Sequence, residues 1–261
     1  MMHQLFQKIP TDLASEHYEN TPFYTQTETH GSFTLDEVSK GTDRYLTLTF
    51  PPAFSIHPRE YTTCVEIISK QLQGLLPKKD DKPILVVGLG NPRVTVDTFG
   101  TEVVKMVTAT AHLKKDGICL FAPDVKESSG IPTEHAISAL AERIHPRAII
   151  VLDSLCARST KRLGNTLQLS NTSIVPGSAV KGSKARLSSL SLGVPVVIIG
   201  MPTIVSSASL VLDILQDTPF APSSELFEKA LRENAFFVCP KEIDVAILRA
   251  AALVSDAINS L

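Results

Sequence analysis

Ala148-Ile-Ile-Val-Leu-Asp153 and Lys82-Pro-Ile-Leu-Val-Val-Gly-Leu-Gly-Asn-Pro92 are the two stretches whose reading decides the fold. Each is an unbroken run of β-branched and aliphatic residues that stops in an acid or in glycine. Without polar alternation, such a run has both faces covered, as in a central strand of a parallel sheet. The first run ends on its own Asp153, and Asp97 follows the second. In open α/β sheets, sites form beyond the carboxyl ends of the strands. The pattern therefore aims two carboxylates at one crevice, where a pair either shares a proton for acid–base work or holds a metal.

Working outward, Arg44–Phe50 alternates as a strand and is closed by Pro51-Pro52. Tyr61–Leu76 carries apolar residues at helical spacing, with Pro77 as its stop. Phe99–His112 reads as a second helix, Gly117–Ala122 as a strand, and Thr133–Arg143 as a helix capped by Thr133. Leu167–Ser170 reads as a short strand and Val194–Gly200 as a buried one, continued by Met201-Pro-Thr203. Helices over Ser207–Leu215, 225–233 and Glu242–Asn259, a link over 216–224 and a strand over Phe236–Cys239 complete the chain. Strands alternating with helices predict an α/β protein with a mostly parallel, mixed central sheet and helices on both faces. Residues 1–43 are polar and without sustained period, so they read as an N-terminal arm. Residues 44–261 read as a single α/β domain.

The bulk numbers narrow the function. The 261 residues are 43% hydrophobic and 20% charged, with a formal net charge of -2. That is an ordinary globular composition, without the basic excess of a nucleic-acid binder. No apolar run reaches the roughly 20 residues that span a bilayer, and the first residues lack a signal-peptide core. The expectation is a cytoplasmic protein. The cysteines, Cys64, Cys119, Cys156 and Cys239, form no C-x-x-C pair and read as reduced thiols, mostly buried.

Several motifs are read against simpler alternatives. Gly88-Leu-Gly-Asn91 invites a dinucleotide fingerprint, but Arg93 stands where the third glycine belongs and Pro92 interrupts the turn. The turn reads instead as the device that brings Asp97 back to the crevice. Asp97 on its own could serve as a helix cap, and Asp153 on its own as an acceptor for loop amides. No G-x-S-x-G elbow surrounds Ser154, Ser159 or Thr160. The histidines form no ligand cluster, and neither a cofactor nor a metal is expected. His112 is the one histidine singled out, at the end of the helix after Asp97. Arg158-Ser-Thr-Lys-Arg162 is a basic cluster beside the acidic pair.

Taken in order, these segments resemble the germination protease family of endospore-forming bacteria. The resemblance rests on Thr11-Asp-Leu-Ala-Ser-Glu16, on Val87-Gly-Leu-Gly-Asn91 with Asp97-x-x-Gly100, and on Ala148–Arg158. Asn165–Ser178, Gly193–Thr203 and Val238–Asp244 extend it along most of the chain. It implies a phosphorylase/hydrolase-like three-layer sandwich and an atypical aspartic endopeptidase whose essential residues are Asp97 and Asp153. It also implies small acid-soluble spore proteins as substrates, a homotetramer, and a location in the forespore or spore core. By the same resemblance the chain is a zymogen with a propeptide of about residues 1–16, self-trimmed within Thr11, Asp12, Leu13, Ala14, Ser15 and Glu16. His112, Asn91, Arg158 and Thr203 are the expected supporting residues. Direct contact with nucleic acid or membrane is not expected.

The chain departs from the family pattern in places. Thr110-Ala-His-Leu113 has Ala111 where the family has arginine, the loop over Ala122–Ile131 holds fewer glycines, and Ala179–Lys184 is altered. The stretch between Leu215 and Phe236 is short, so the chain reads as a short, divergent member. Two other readings stay open: a non-catalytic or altered-specificity sporulation paralogue, and a hydrogenase-maturation-type metal-dependent endopeptidase with His112 as third ligand. Peptidyl-tRNA hydrolase shares the Gly-Leu-Gly-Asn-Pro strand end, but not the basic face or the His–Asn context.

Overall fold

The computed structural model describes residues 9–19, 21–52, 56–123, 125–174, 186–215 and 236–261. The expected link and helix over 216–233, and the altered loop over 179–184, lie outside them. In chain order the elements are α1 (Ala14–His17), β1 (Tyr24–His30), β2 (Phe33–Lys40), β3 (Asp43–Thr49), α2 (Pro58–Leu75), β4 (Ile84–Gly88), α3 (Phe99–Met106), β5 (Ile118–Phe121), α4 (Lys126–Ser129) and α5 (Thr133–Ile144). Then come β6 (Ala148–Ala157), β7 (Thr166–Ser170), β8 (Ser173–Ile174), β9 (Leu187–Ser188), α6 (Ser189–Leu192), β10 (Val196–Ser206), α7 (Ser207–Leu215), β11 (Phe237–Val238) and α8 (Ile243–Asn259).

The main sheet runs β1-β2-β3-β7-β10-β6-β4-β5, with β11 added to β10. It is mixed. The contiguous block β10-β6-β4-β5 is parallel, while β1, β2, β3 and β7 pair antiparallel and join the block through β10. The apolar runs of the sequence occupy the middle. Every residue of β4, β6 and β7 is buried, which is why the sequence there shows no alternation. Helices α2, α3 and α8 cover one face, over Leu152, Ile150, Val86 and Ile199. Ile137 and Ala141 of α5, with Leu192 of α6, cover the other, over Val151, Ile149 and Leu85. The result is the three-layer α/β arrangement.

Three local expectations change. Residues 24–40, read as part of an arm, form two strands of the sheet. Their pattern is hidden because buried Asp36 interrupts the apolar set Phe33, Leu35 and Val38, and most of β1 is exposed at the sheet edge. The helix after Asp97 stops at Met106. Asn259 of α8 accepts from Thr108 N–H at 2.9 Å and donates to the Met106 carbonyl, so a tertiary contact ends it. Thr133 makes no side-chain cap; Pro132 occupies that position.

Candidate functional site

The site grows from the turn after β4. Gly90 has φ +115, a conformation side chains rarely tolerate, and its missing Cβ leaves room for the backbone and Oδ1 of Asp97. A short 3-10 turn over Thr95–Asp97 then returns the chain to the sheet. Asn91 N–H donates to Asp97 Oδ2 at 2.8 Å, while Asn91 Oδ1 accepts from Arg93 N–H at 3.0 Å. Thr203 fixes the turn from the far side. It is the extra residue of a bulge in β10 between Pro202 and Ile204, and its Oγ1 donates to the Val96 carbonyl at 2.6 Å. Gly100 lets α3 press onto the strand ends, since a Cβ there would sit 2.5 Å from the Leu89 carbonyl oxygen. The glycines of the Gly-x-Gly-Asn turn are thus explained by close backbone approach.

Asp153 comes from the neighbouring strand. Val87 pairs with Val151 and Gly88 with Leu152, so the chain leaving β4 and Asp153 meet at the same end of the sheet. Asp153 is 3% exposed, and its Oδ1 accepts from Ser154 N–H at 2.9 Å. Burial pushes its carboxyl well above the ordinary range. The charges of Asp97 and Asp12 raise it further, against the lowering effect of the Ser154 amide. Burial also raises Asp97, opposed by the Asn91 amide. Burial thus favours the protonated form of both carboxyls, and the charge of Asp97 favours it further at Asp153.

The segment Thr11–Glu16 lies against this crevice. Asp12 N–H donates to the Cys156 carbonyl at 2.9 Å, and Cys156 N–H donates back to Asp12 Oδ2 at 2.8 Å. The Glu16 carboxylate accepts from Arg158 N–H at 2.7 Å, Ser159 N–H at 2.9 Å and Thr11 Oγ1. The Arg158 guanidinium donates to the carbonyls of Glu16 and Ile9 at 2.6 and 3.2 Å. Leu13, Ala14 and Ser15 are buried with it. Arg158 and Arg162 of the basic cluster are therefore engaged internally, Arg162 with Thr49 of β3 at 2.7 Å, while Lys161 is exposed.

The structure brings Asp97, Asp153, Asn91, Thr203, Arg158 and the Thr11–Glu16 segment to one end of the sheet. His112 is the exception. It lies in an exposed turn beside Thr110 and Ala111, whose N–H groups donate to Ile118 at the opening of β5. Ile118 pairs with Ile84, the first residue of β4, so His112 sits at the opposite end of the strands, about 15 Å from the carboxylates at strand rise. It is in no position to join them around a metal, and among the described residues no group of three His, Cys, Asp or Glu side chains is placed to hold a metal ion. Sequence reading passed over Gln168, a buried amide that grips the Asp12–Ala14 segment. Its signal was a lone polar residue between Leu167 and Leu169 in an otherwise apolar strand.

A three-layer α/β fold with the buried carboxyl of Asp153 and the half-buried one of Asp97 at the same end of neighbouring strands defines the class of protein. Within that class, the pattern of the germination protease family matches residues 25–218. The chain is 32% identical over 231 residues to the germination protease of Caldanaerobacter subterraneus subsp. tengcongensis, covering 74% of this chain and 70% of that one. It is 32% identical to the germination protease of Clostridium tetani (79% and 66% covered) and 29% identical to that of Clostridium perfringens (85% and 78% covered). The chain belongs to the germination protease family, which makes it a peptidase. Among the described residues no helix is long and apolar enough to cross a membrane.

Proposed function

We propose that the protein is an endopeptidase of germination that cuts small acid-soluble spore proteins, using Asp97 and Asp153 to activate water. The observation that carries this reading is that two raised carboxyls lie at one sheet end, Asp153 buried and Asp97 half-buried with Asn91 N–H as an amide donor. Asp97, stabilised as the anion by Asn91 N–H, takes a proton from water as the oxygen attacks the scissile carbonyl carbon. Asp153, holding its proton, donates it to the carbonyl oxygen, which leaves a tetrahedral diol, a protonated Asp97 and an ionised Asp153. As the C–N bond breaks, Asp97 passes its new proton to the leaving amine and Asp153 takes one back from the diol. Each proton is accounted for, and the dyad returns to one shared proton. Asn91 and Thr203 act by fixing the turn that carries Asp97. Residues 1–16 form a propeptide removed by self-cleavage within Thr11–Glu16, held until then by Arg158. The working form is a homotetramer in the forespore or spore core.

The test is cleavage of a purified small acid-soluble spore protein by the chain and by Asp97→Asn and Asp153→Asn, with and without chelator. Cleavage lost in both variants and indifferent to chelator is expected. Cleavage that survives either substitution refutes the dyad, and loss with chelator points to a metal. A wild-type chain that cuts nothing supports a non-catalytic paralogue.

A further inference from the structure

Gln168 has no part in the mechanism above, yet its side chain makes the two bonds that a peptide backbone asks of a neighbour. Its Nε2 donates to the Asp12 carbonyl at 3.0 Å and its Oε1 accepts from Ala14 N–H at 2.6 Å. A carbonyl from one residue and an N–H from the second residue after it are the pair that a parallel strand offers its partner. Gln168 is 6% exposed and sits in β7 with neighbours on both sides. It pairs with Gly200 of β10, and Gly200 pairs with Asp153 of β6. Gln168, Gly200 and Asp153 thus form one row across three strands, and residues of one row face the same side of the sheet. Two strand spacings, about 9.5 Å, separate the amide from the carboxyl. Gly200 between them carries no side chain, and Leu155 leans over it. A cleft of 370 Å³ opens beside the row, lined by Leu155, Ser170, Thr172, Ile174 and Tyr45 together with the segment itself.

We propose that Gln168 is a substrate-binding residue that grips the backbone of an extended polypeptide next to the Asp97–Asp153 pair, and that Asp12–Ala14 occupies its place as an internal copy of such a peptide. This rests on the peptidase reading above. The clamp reads main chain, not side chain, so its ligand class is an extended, unfolded stretch of protein. In a folded domain the same carbonyl and N–H are already committed to helix or sheet.

The experiment uses the full chain and a ten-residue peptide with the sequence of Ile9–Tyr18, plain or N-methylated at the nitrogen of the alanine. Methylation removes the N–H that Gln168 accepts. Within each protein both peptides meet the N-terminal segment in the same state, tethered or trimmed, so their ratio isolates the clamp. The wild-type chain should prefer the plain peptide about tenfold, chiefly in KM. Gln168→Met fills the volume without donor or acceptor and should treat the two alike. Gln168→Glu keeps the acceptor and loses the donor, so it should keep the preference while binding both peptides more weakly. Equal preference in wild type and Gln168→Met overturns the proposal. If the wild-type chain cleaves neither peptide, the peptidase reading fails. The same ratio, read by fluorescence anisotropy on Asp153→Asn and on Asp153→Asn with Gln168→Met, then decides the clamp by itself.

Discussion

Gly90→Ala puts the turn that carries Asp97 to the test. At φ +115, Gly90 lies beyond the left-handed well that L-residues occasionally visit, so the backbone alone costs about 1–2 kcal/mol or more. The new Cβ would overlap the Asp97 carbonyl oxygen, lying 3.1 Å from its carbon and 3.4 Å from Oδ1. Relieving it requires the turn to move by about 1 Å, and overpacking of that kind costs roughly 1–3 kcal/mol. A total near 2–5 kcal/mol of stability follows. A displacement of about 1 Å at a reacting group costs on the order of 100-fold in rate. Gly31→Ala is the control: its φ is +63, but nothing lies within 4 Å of the added methyl, so only the backbone cost of about 1–2 kcal/mol applies and turnover is intact. Urea unfolding midpoints and peptide cleavage rates on both variants decide the matter. If Gly90→Ala matches Gly31→Ala in stability and the wild type in turnover, the turn does not position Asp97 and the reasoning is wrong.

Two further outcomes follow from the buried groups. Asp153 has a raised carboxyl, so the native state holds a proton that the unfolded chain releases near pH 4, and native stability falls as pH rises above that point. Asp153→Asn should therefore melt higher than wild type at pH 7, with the gain vanishing below about pH 4; a gain that persists at low pH contradicts the assignment. Burial pushes the Cys64 and Cys156 thiols up to about 12, with the charges of Asp12 and Glu16 adding to the effect at Cys156. Exposed Cys239 should react with a disulfide reagent at pH 8 in the native protein, and Cys64 and Cys156 only after unfolding. Fast native labelling of Cys156 would show that its strand end is open.

The parallel half of the sheet was legible because burial on both faces leaves a continuous apolar run. Ile84–Gly88, Ala148–Leu152 and Val196–Gly200 carry that mark. Strand ends that stop in an acid or in glycine also pointed to the correct end of the sheet for Asp97 and Asp153. The antiparallel flank was not legible in β1 and β2, where Asp36 is buried with Thr27 Oγ1 as donor at 2.9 Å. A satisfied polar group inside a strand breaks the period on which pattern reading depends. His112 was misplaced because the apolar spacing through Val103 and Val107 continues past the point where Asn259, from the far end of the chain, terminates the helix.

By itself, then, the sequence determined which segments become buried strands and which acids stand at their ends, since strand burial and glycine turns are written in neighbouring residues. Only the tertiary structure decided what surrounds those acids. Asp12 reaches Cys156 across 144 positions, Arg158 holds Glu16 across 142, and Gln168 grips Asp12 across 156. Contacts of that range are set by how sheet, helices and N-terminal segment pack together, and no local pattern of residues encodes them.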